Sequence, residues 1–381
     1  MSIRRLIVEI DPASLNVTEF CRSHGVSTWF FWDLRRRHRI EGDVVLETRS
    51  RAPRRVANKT SLEVEDEVVR TRKHLVDVGL DAGPASIQFA LRDLPGVPSE
   101  STIWRILSAR GLITPDPTKA PKRSRRRFTA DRANECWQLD HTSWVLGDGT
   151  EVKILNIVDD HSRLLVASVA TVSGTGAHTL EVFAQVAAVL GWPERFLSDN
   201  AKAFRYVLAD ALAALGIAAG HSRPYHPQTC GKVERFHQTL KRWLTQQPSA
   251  TGVAELQAQL DIFRHIYNHH RPHRSLTRQF PATVWELAPK SGPANRPIGQ
   301  PTIVSTGIVA NSRVNAGGYT ITIPGTYNGC RALTAITGTT CHVFTDGNLT
   351  RHFTIDPNRR TQTIYDRPGK PPTVREDPRH P

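Results

Sequence analysis

Residues 137–171 read WQLDHTSWVLGDGTEVKILNIVDDHSRLLVASVAT, and the period of this stretch decides the fold. Residues 137–145, 151–160 and 163–171 are β-type runs, apolar or alternating and rich in branched side chains. GDGT at 147–150 supplies a hairpin turn, and His161 and Ser162 make the next link. Three meandering strands are therefore predicted. Further along, 177–190 has helical spacing, 195–200 is a short strand, 204–216 is helical and 217–222 is a last short strand. Helices over 230–247 and about 252–270 follow. In the second of these, Val253, Leu256, Leu260, Phe263 and Tyr267 form a stripe read as core.

Three strands, then helix, strand, helix, strand and two long helices make an α/β layout. That order matches a ribonuclease-H-like fold and defines a catalytic core at 132–288. The chain as a whole is multidomain. Residues 1–45 read as a first helix-turn-helix: Asn16 and Glu19 form a capping box, Gly25 ends the helix and Ser27 caps the next, over 28–38. Residues 60–113 read as a second one. Thr60 and Glu63 open a helix, Pro84 starts a short one, and Ser99 caps a third with Ile103, Ile106 and Leu107 turned inward and Gly111 at its end. Basic linkers are expected at 46–59 and 114–131. After a Pro-rich break at 287–301, residues 302–355 read as a small antiparallel β barrel, and 356–381 as a disordered tail.

The charge points to a polyanion. Fifty Lys and Arg against 36 Asp and Glu leave +14 over 381 residues, with a pI near 10.0. DNA-contact candidates are Arg35, Arg36 and Arg37 on the first module, and Ser101, Thr102 and Arg105 on the second. The linkers add Arg51, Arg54, Arg55, Lys122, Arg123, Arg125, Arg126 and Arg127. Lys232, Arg235, Lys241 and Arg242 stand beside an acid in PQTCGKVERFHQTLKRW, 227–243. The five cysteines have no C-x-x-C spacing, so neither a zinc ribbon nor a disulfide framework is expected. The first residues lack the apolar run of a signal peptide, and no stretch of about 18 apolar residues exists to span a bilayer. A cytoplasmic protein is expected.

A ribonuclease-H-like core performs phosphoryl transfer with two divalent metals about 3.5–4 Å apart, held by carboxylates on facing elements. Asp140 is mid-strand, on the face opposite Trp137 and Leu139. Asp199 ends the fourth strand, where α/β active sites gather; helix capping is its other reading. Glu234 lies in the first turn of an amphipathic helix, with Gly231, Gln238, Lys241 and Arg242 on its face and Val233, Phe236, Leu240, Trp243 and Leu244 on the other. Alone, it would be an acid that suits the helix dipole. Together, the three are spaced with 58 and 34 residues between them.

The chain resembles the DDE transposases of bacterial insertion sequences, which share their core with retroviral integrases. SDN around Asp199 and HPQTCGKVERFHQTLKRWL around Glu234 are similar to the family's second and third acid motifs. DDHSR at 159–163, YNHHRPHRSL at 267–276 and PATVWE at 281–286 are also typical. Within the family, the four-eighty-one group is the most similar. The resemblance covers about 10–290. It implies two Mg²⁺ (or Mn²⁺) ions held by Asp140, Asp199 and Glu234, nicking of the element's 3′ ends, and attack of the freed hydroxyl on target DNA. It implies double-stranded DNA as partner (terminal inverted repeats and target), a homo-oligomer on that DNA, and a nucleoid-associated bacterial protein with no membrane contact. Tyr225, His226 and Gln228 would border the site; Asn200 reads either as orienting Asp199 or a phosphate, or as a helix cap. His269, His270 and His273 fall in a motif that closes the core, which argues against a metal site there. The family has Gly where Ala201 stands, and the last spacing is one residue shorter than is common in it. Two other functions are weighed: a catalytically inactive DNA-binding regulator derived from a transposase, and a ribonuclease H or junction nuclease.

Overall fold

The computed structural model describes residues 2–48, 60–113, 129–198, 207–221, 231–294 and 300–363. The chain divides into two compact units, Met1–Ser61 and Leu62–Pro381. In the first, α1 (Ile3–Glu9), α2 (Val17–Ser23) and α3 (Thr28–Glu41) enclose Ile7, Cys21, Phe31, Leu34 and Val45. Each helix starts on a side-chain cap. Ser2 accepts from the Arg5 amide, Asn16 from those of Thr18 and Glu19, and Ser27 from that of Phe30. Gly25, at φ 63°, turns the chain between α2 and α3. The α2–turn–α3 layout follows the expectation, although α3 continues to Glu41. Helix α1 has no counterpart in the sequence reading.

The second unit begins with α4 (Leu62–Asp77), α5 (Pro84–Ala90) and α6 (Glu100–Ala109), closed on Val68, Ile87, Leu91, Ile103, Ile106 and Leu107. Pro84 opens α5, and Ser99 caps α6 through the Thr102 amide, as the sequence predicts. Next come β1 (Cys136–Val145), β2 (Glu151–Asp159), β3 (Leu165–Thr171), α7 (Gly176–Leu190), β4 (Arg195–Ser198), α8 (Val207–Ala214) and β5 (Ala218–His221). The five strands form one sheet in the order β3-β2-β1-β4-β5. β1–β2 and β2–β3 are antiparallel, whereas β1–β4 and β4–β5 are parallel. A meander followed by two crossovers is the ribonuclease-H-like order, with β1 at the centre.

Helices cover both faces of the sheet. α7 and α8 pack over Trp137, Leu139, Leu155, Ile157 and Phe196. On the other face α9 (Gly231–Leu244) and α10 (Val253–His269) pack over Val152, Ile154, Val158 and Leu165. The predicted apolar face of α9 is buried throughout, and so are Leu256, Leu260, Phe263 and Tyr267 of α10. The short α11 (Pro281–Leu287) follows. The α4–α6 group is seated on this core. Phe89 meets Phe280 edge-on at 5.6 Å between ring centroids, and Asp81 holds both Arg242 and Arg271.

Beyond the core, β6 (Thr302–Ile308), β7 (Arg313–Ala316), β8 (Tyr319–Thr322), β9 (Arg331–Thr337), β10 (Thr340–Thr345), β11 (Asn348–Thr354) and β12 (Thr361–Gln362) form two sheets, ordered β11-β10-β9-β6 and β12-β8-β7. They share a core of Val309, Val314, Ile321, Ile336 and Val343. One expectation is corrected here. The tail expected to be disordered from 356 begins with ordered chain: β12 pairs parallel with β8, and buried Gln362 donates to the carbonyls of Asp356 and Arg359. Those two carbonyls and a ready sheet edge outweigh the segment's polar composition. The remainder, 364–381, lies outside the described residues. Among the described residues, no helix is long and apolar enough to cross a membrane.

Candidate active site

The site is built where β1 passes under α9. On β1, Trp137 and Leu139 point into the core beneath α7, so alternation turns Gln138 and Asp140 toward α9. Asp140 is half-buried. Its Oδ1 accepts from the His141 amide at 2.8 Å, and its Oδ2 lies 3.7 Å from Nδ1 of His237 on α9. Glu234, one helical turn before His237, is exposed in the first turn of α9. A carboxylate there is favoured by the helix dipole. The anchor is the buried side of α9, where Phe236 packs edge-on against Tyr267 at 5.2 Å.

Toward Asp199, the structure gives only the approach. Ser198, the last residue of β4, pairs in parallel register with Leu139, the neighbour of Asp140. Asp199, Asn200, Ala201, Tyr225, His226 and Gln228 lie outside the described residues.

His237 is a site residue that sequence reasoning missed. Its side chain is only 12% exposed, and burial pushes its pKa down to about 4, with Lys241 and His141 adding to the effect. Nδ1 of His237 and Oδ2 of Asp140, at 3.7 Å, are farther apart than a hydrogen bond. The available signal was its position, three residues after Glu234 on one helix face.

The basic residues divide sharply. Lys232 donates to the wholly buried Asp160 at 2.5 Å, which corrects its reading as a DNA grip. Burial lowers its pKa, and Asp160 opposes that. Arg242 reaches Asp81 at 2.9 Å, while its side chain stays 54% exposed. Arg235 and Lys241 are exposed on the polar face of α9. In the first unit, Arg35 is also corrected: its NH1 donates to the carbonyls of Ile7, Val8 and Ile10, closing the end of α1. Arg37 sits 3.7 Å from both Asp33 and Glu41, and Arg36 is exposed with one contact to Asp33. On α6, Ser101 and Arg105 are exposed, while Thr102 is half-buried with its hydroxyl 3.0 Å from that of Ser99. Arg51, Arg54, Arg55, Lys122, Arg123, Arg125, Arg126 and Arg127 lie outside the described residues.

The histidines at the end of α10 and just after it have separate roles. His265 and His270 bring their Nε2 atoms to 3.3 Å, and His269 leans on the His265 ring. Nδ1 of His273 accepts from the amide of Ser275 and lies 2.9 Å from its hydroxyl, capping the turn at 274–276. Burial, then Arg271 and Arg163, push the His273 pKa from 6.5 down to about 4. A group depressed in the folded state is protonated first in the unfolded chain. Its contribution is thus whole above about pH 6.5 and is lost as pH falls toward 4. We expect His273→Asn, which keeps a capping acceptor, to flatten that limb of the stability–pH curve by on the order of 2 kcal/mol. Parallel urea-unfolding curves for the two proteins from pH 7 to pH 4 would rule this out.

An integrase core domain family matches residues 130–227, and a second integrase core domain family matches 215–281. The chain is 25% identical over 150 residues to an uncharacterized 31.7 kDa protein of insertion element IS407 from Burkholderia multivorans. It is 26% identical over 166 residues to an uncharacterized 39.2 kDa protein of insertion element IS476 from Xanthomonas euvesicatoria. These alignments take in 39% and 43% of this chain and 54% and 48% of the relatives. The chain thus spans about half the length of the curated relatives it matches. Among solved structures, the HTLV-2 integrase catalytic core domain in complex with magnesium aligns at 18% identity and TM-score 0.33, over 40% of this chain and 95% of that one. The catalytic core domain of BIV integrase aligns at 22% identity and TM-score 0.31, over 40% and 94%.

Proposed function

We propose that this chain, an insertion-element protein with an integrase-type core at 130–281, is a DDE transposase that nicks the 3′ ends of its element and joins them to target DNA. One observation carries the reading. The acid at the middle of the central strand and the acid in the first turn of α9 come from distant parts of the sequence, and His237, one turn from Glu234, touches Asp140. Asp199 completes the set by sequence, following the residue that pairs with Leu139.

The donor chemistry fits a hard divalent cation. Asp140 and Glu234 offer oxygen ligands from facing elements, and Glu234 is open to solvent, which suits Mg²⁺ or Mn²⁺ with their retained waters. Two such ions, when bound, activate an attacking oxygen and offset charge on the leaving one. The chain's own residues do the rest. Asp140 and Glu234, with Asp199, hold the site's negative charge. His237, mostly buried on α9, packs beside Asp140. Arg235 and Lys241 face outward along α9, where they would hold the backbone of the bound strand by charge.

Arg36 on α3, and Ser101 and Arg105 on α6, support helix-turn-helix reading of element ends; Arg35, whose Nη1 is held by three carbonyls, and Lys232, held by Asp160, do not. The two C-terminal sheets support a small barrel-like module. Terminal inverted repeats as the recognised DNA, an oligomer formed on paired ends, and a cytoplasmic, nucleoid-associated location belong to the same proposal.

The test is nicking of duplexes carrying the element's terminal inverted repeats, labelled at one end. With Mg²⁺ the full chain is expected to release the 3′ end, and with EDTA it is not. Tight, specific binding with no nicking in either Mg²⁺ or Mn²⁺ would replace this reading with that of a non-cutting regulator.

A further inference from the structure

We propose that Asp160 is a positioning residue that sets the separation of Asp140 and Glu234, acting through Gln138 on β1 and Lys232 on α9. The inference rests on the catalytic reading of those two acids. Asp160 follows directly after β2, and its side chain is 0% exposed. Its own amide donates to the carbonyl of Cys136 at 2.9 Å, which pins the turn to the start of β1.

The carboxylate then makes three bonds. Oδ1 accepts from Nε2 of Gln138 and from Nζ of Lys232, both at 2.5 Å. Oδ2 accepts from the amide of Ala130 at 2.7 Å, and Arg163 stands 3.7 Å from Oδ1. The two side-chain donors are placed tellingly. Gln138 precedes Asp140 by two residues on the same strand face, and Lys232 precedes Glu234 by two residues in the same helical turn. One buried oxygen therefore joins the strand that carries the first acid to the turn that carries the last.

Such a pair has no purpose for affinity at the surface, since a buried carboxylate holds its partner only when geometry is good and all lone pairs are used. Here they are used. Apolar packing of Val233 and Phe236 holds α9 against the sheet, and the bond to Asp160 adds a directional contact in its first turn. A short charge-assisted bond there fixes direction as well as distance, two residues from Glu234. A displacement near 1 Å at a reacting centre costs about a hundredfold in rate.

The variants are Lys232→Gln, Lys232→Arg, Asp160→Asn and the Lys232→Gln/Asp160→Asn pair, all in the full chain. Three readouts apply: joining rate on saturated ends, the salt dependence of end binding, and amide hydrogen exchange over 231–236. For Lys232→Gln we expect joining to fall about 10- to 100-fold, exchange over 231–236 to quicken, and the salt slope to stay as in wild type. Lys232→Arg should recover part of the rate. The pair should lose little more than the worse single variant, since both act on one contact.

If Lys232→Gln instead weakens end binding and lowers the salt slope by about one while bound ends join at the wild-type rate, Lys232 is a phosphate contact and the proposal fails. Unchanged exchange over 231–236 also overturns it. Should Asp160→Asn not fold, the two Lys232 variants still decide. Should the wild type join nothing, the functional reading fails on its own, and the exchange arm still reports on the contact.

Discussion

Asp140→Asn and Glu234→Gln are each expected to reduce end joining by about a thousandfold or more, with end binding within about twofold of wild type. The physical reason is specific to charge. Both substitutions keep volume and shape, so the β1 pairing and the buried face of α9 remain. Only the anionic oxygens that would face a divalent cation are lost. Asp140 also accepts its bond from the His141 amide, and Asn keeps an oxygen for that role. Asp199→Asn is expected to behave in the same way. The separation of rate from binding is the informative part. Equal loss of both would mean that these carboxylates shape the DNA-binding surface and do not act in the chemistry.

The second large effect is expected at Gly79, in the connection after α4. Its φ is +74°, and a Cβ there would lie 2.8 Å from Cα of Trp243, in the backbone of α9. Gly79→Ala therefore meets two costs. A left-handed conformation costs an ordinary residue about 1–2 kcal/mol, and overpacking against backbone that cannot rotate away adds about 1–3 kcal/mol. We expect a loss of about 2–5 kcal/mol in urea unfolding. Leu80, packed on the core beneath α9, and Asp81, paired with Arg242 and Arg271, would be pulled from their seats as well. Because the α4–α6 group rests on the helix that carries Glu234, the same variant should slow joining beyond what its stability loss explains. A stability change under about 0.5 kcal/mol would show that this close approach is not maintained in solution.

Much of this was legible in the sequence because the signals were local. The alternation of β1 sorted Asp140 from Trp137 and Leu139, and the helical period of α9 sorted Glu234 from Val233 and Phe236. Caps at Asn16, Ser27 and Ser99 are residue-type rules operating within three positions. What escaped was non-local. A lysine on the polar edge of an amphipathic helix reads the same whether it meets phosphate, solvent or a buried acid 72 residues earlier, as Lys232 does. The contact of Arg242 with Asp81 is equally distant, 161 residues back along the chain. Helix α1 is short and leans on Arg35, 25 to 28 residues away, for its closure. Strand β12 exists because β8 leaves an edge, which no property of residues 356–363 announces. His237 carries no local signal of its contact, because the residue it meets, Asp140, is on another element.

The central claim is that Asp140, Asp199 and Glu234 form one metal site. It is tested most directly by replacing Mg²⁺ with Fe²⁺ and generating hydroxyl radicals at the bound iron with ascorbate and peroxide. The expected result is backbone cleavage confined to the neighbourhoods of residues 140, 199 and 234, all suppressed together by excess Mg²⁺ and all lost in Asp140→Asn. Cleavage missing from one of the three, or surviving Mg²⁺ in excess, would contradict it.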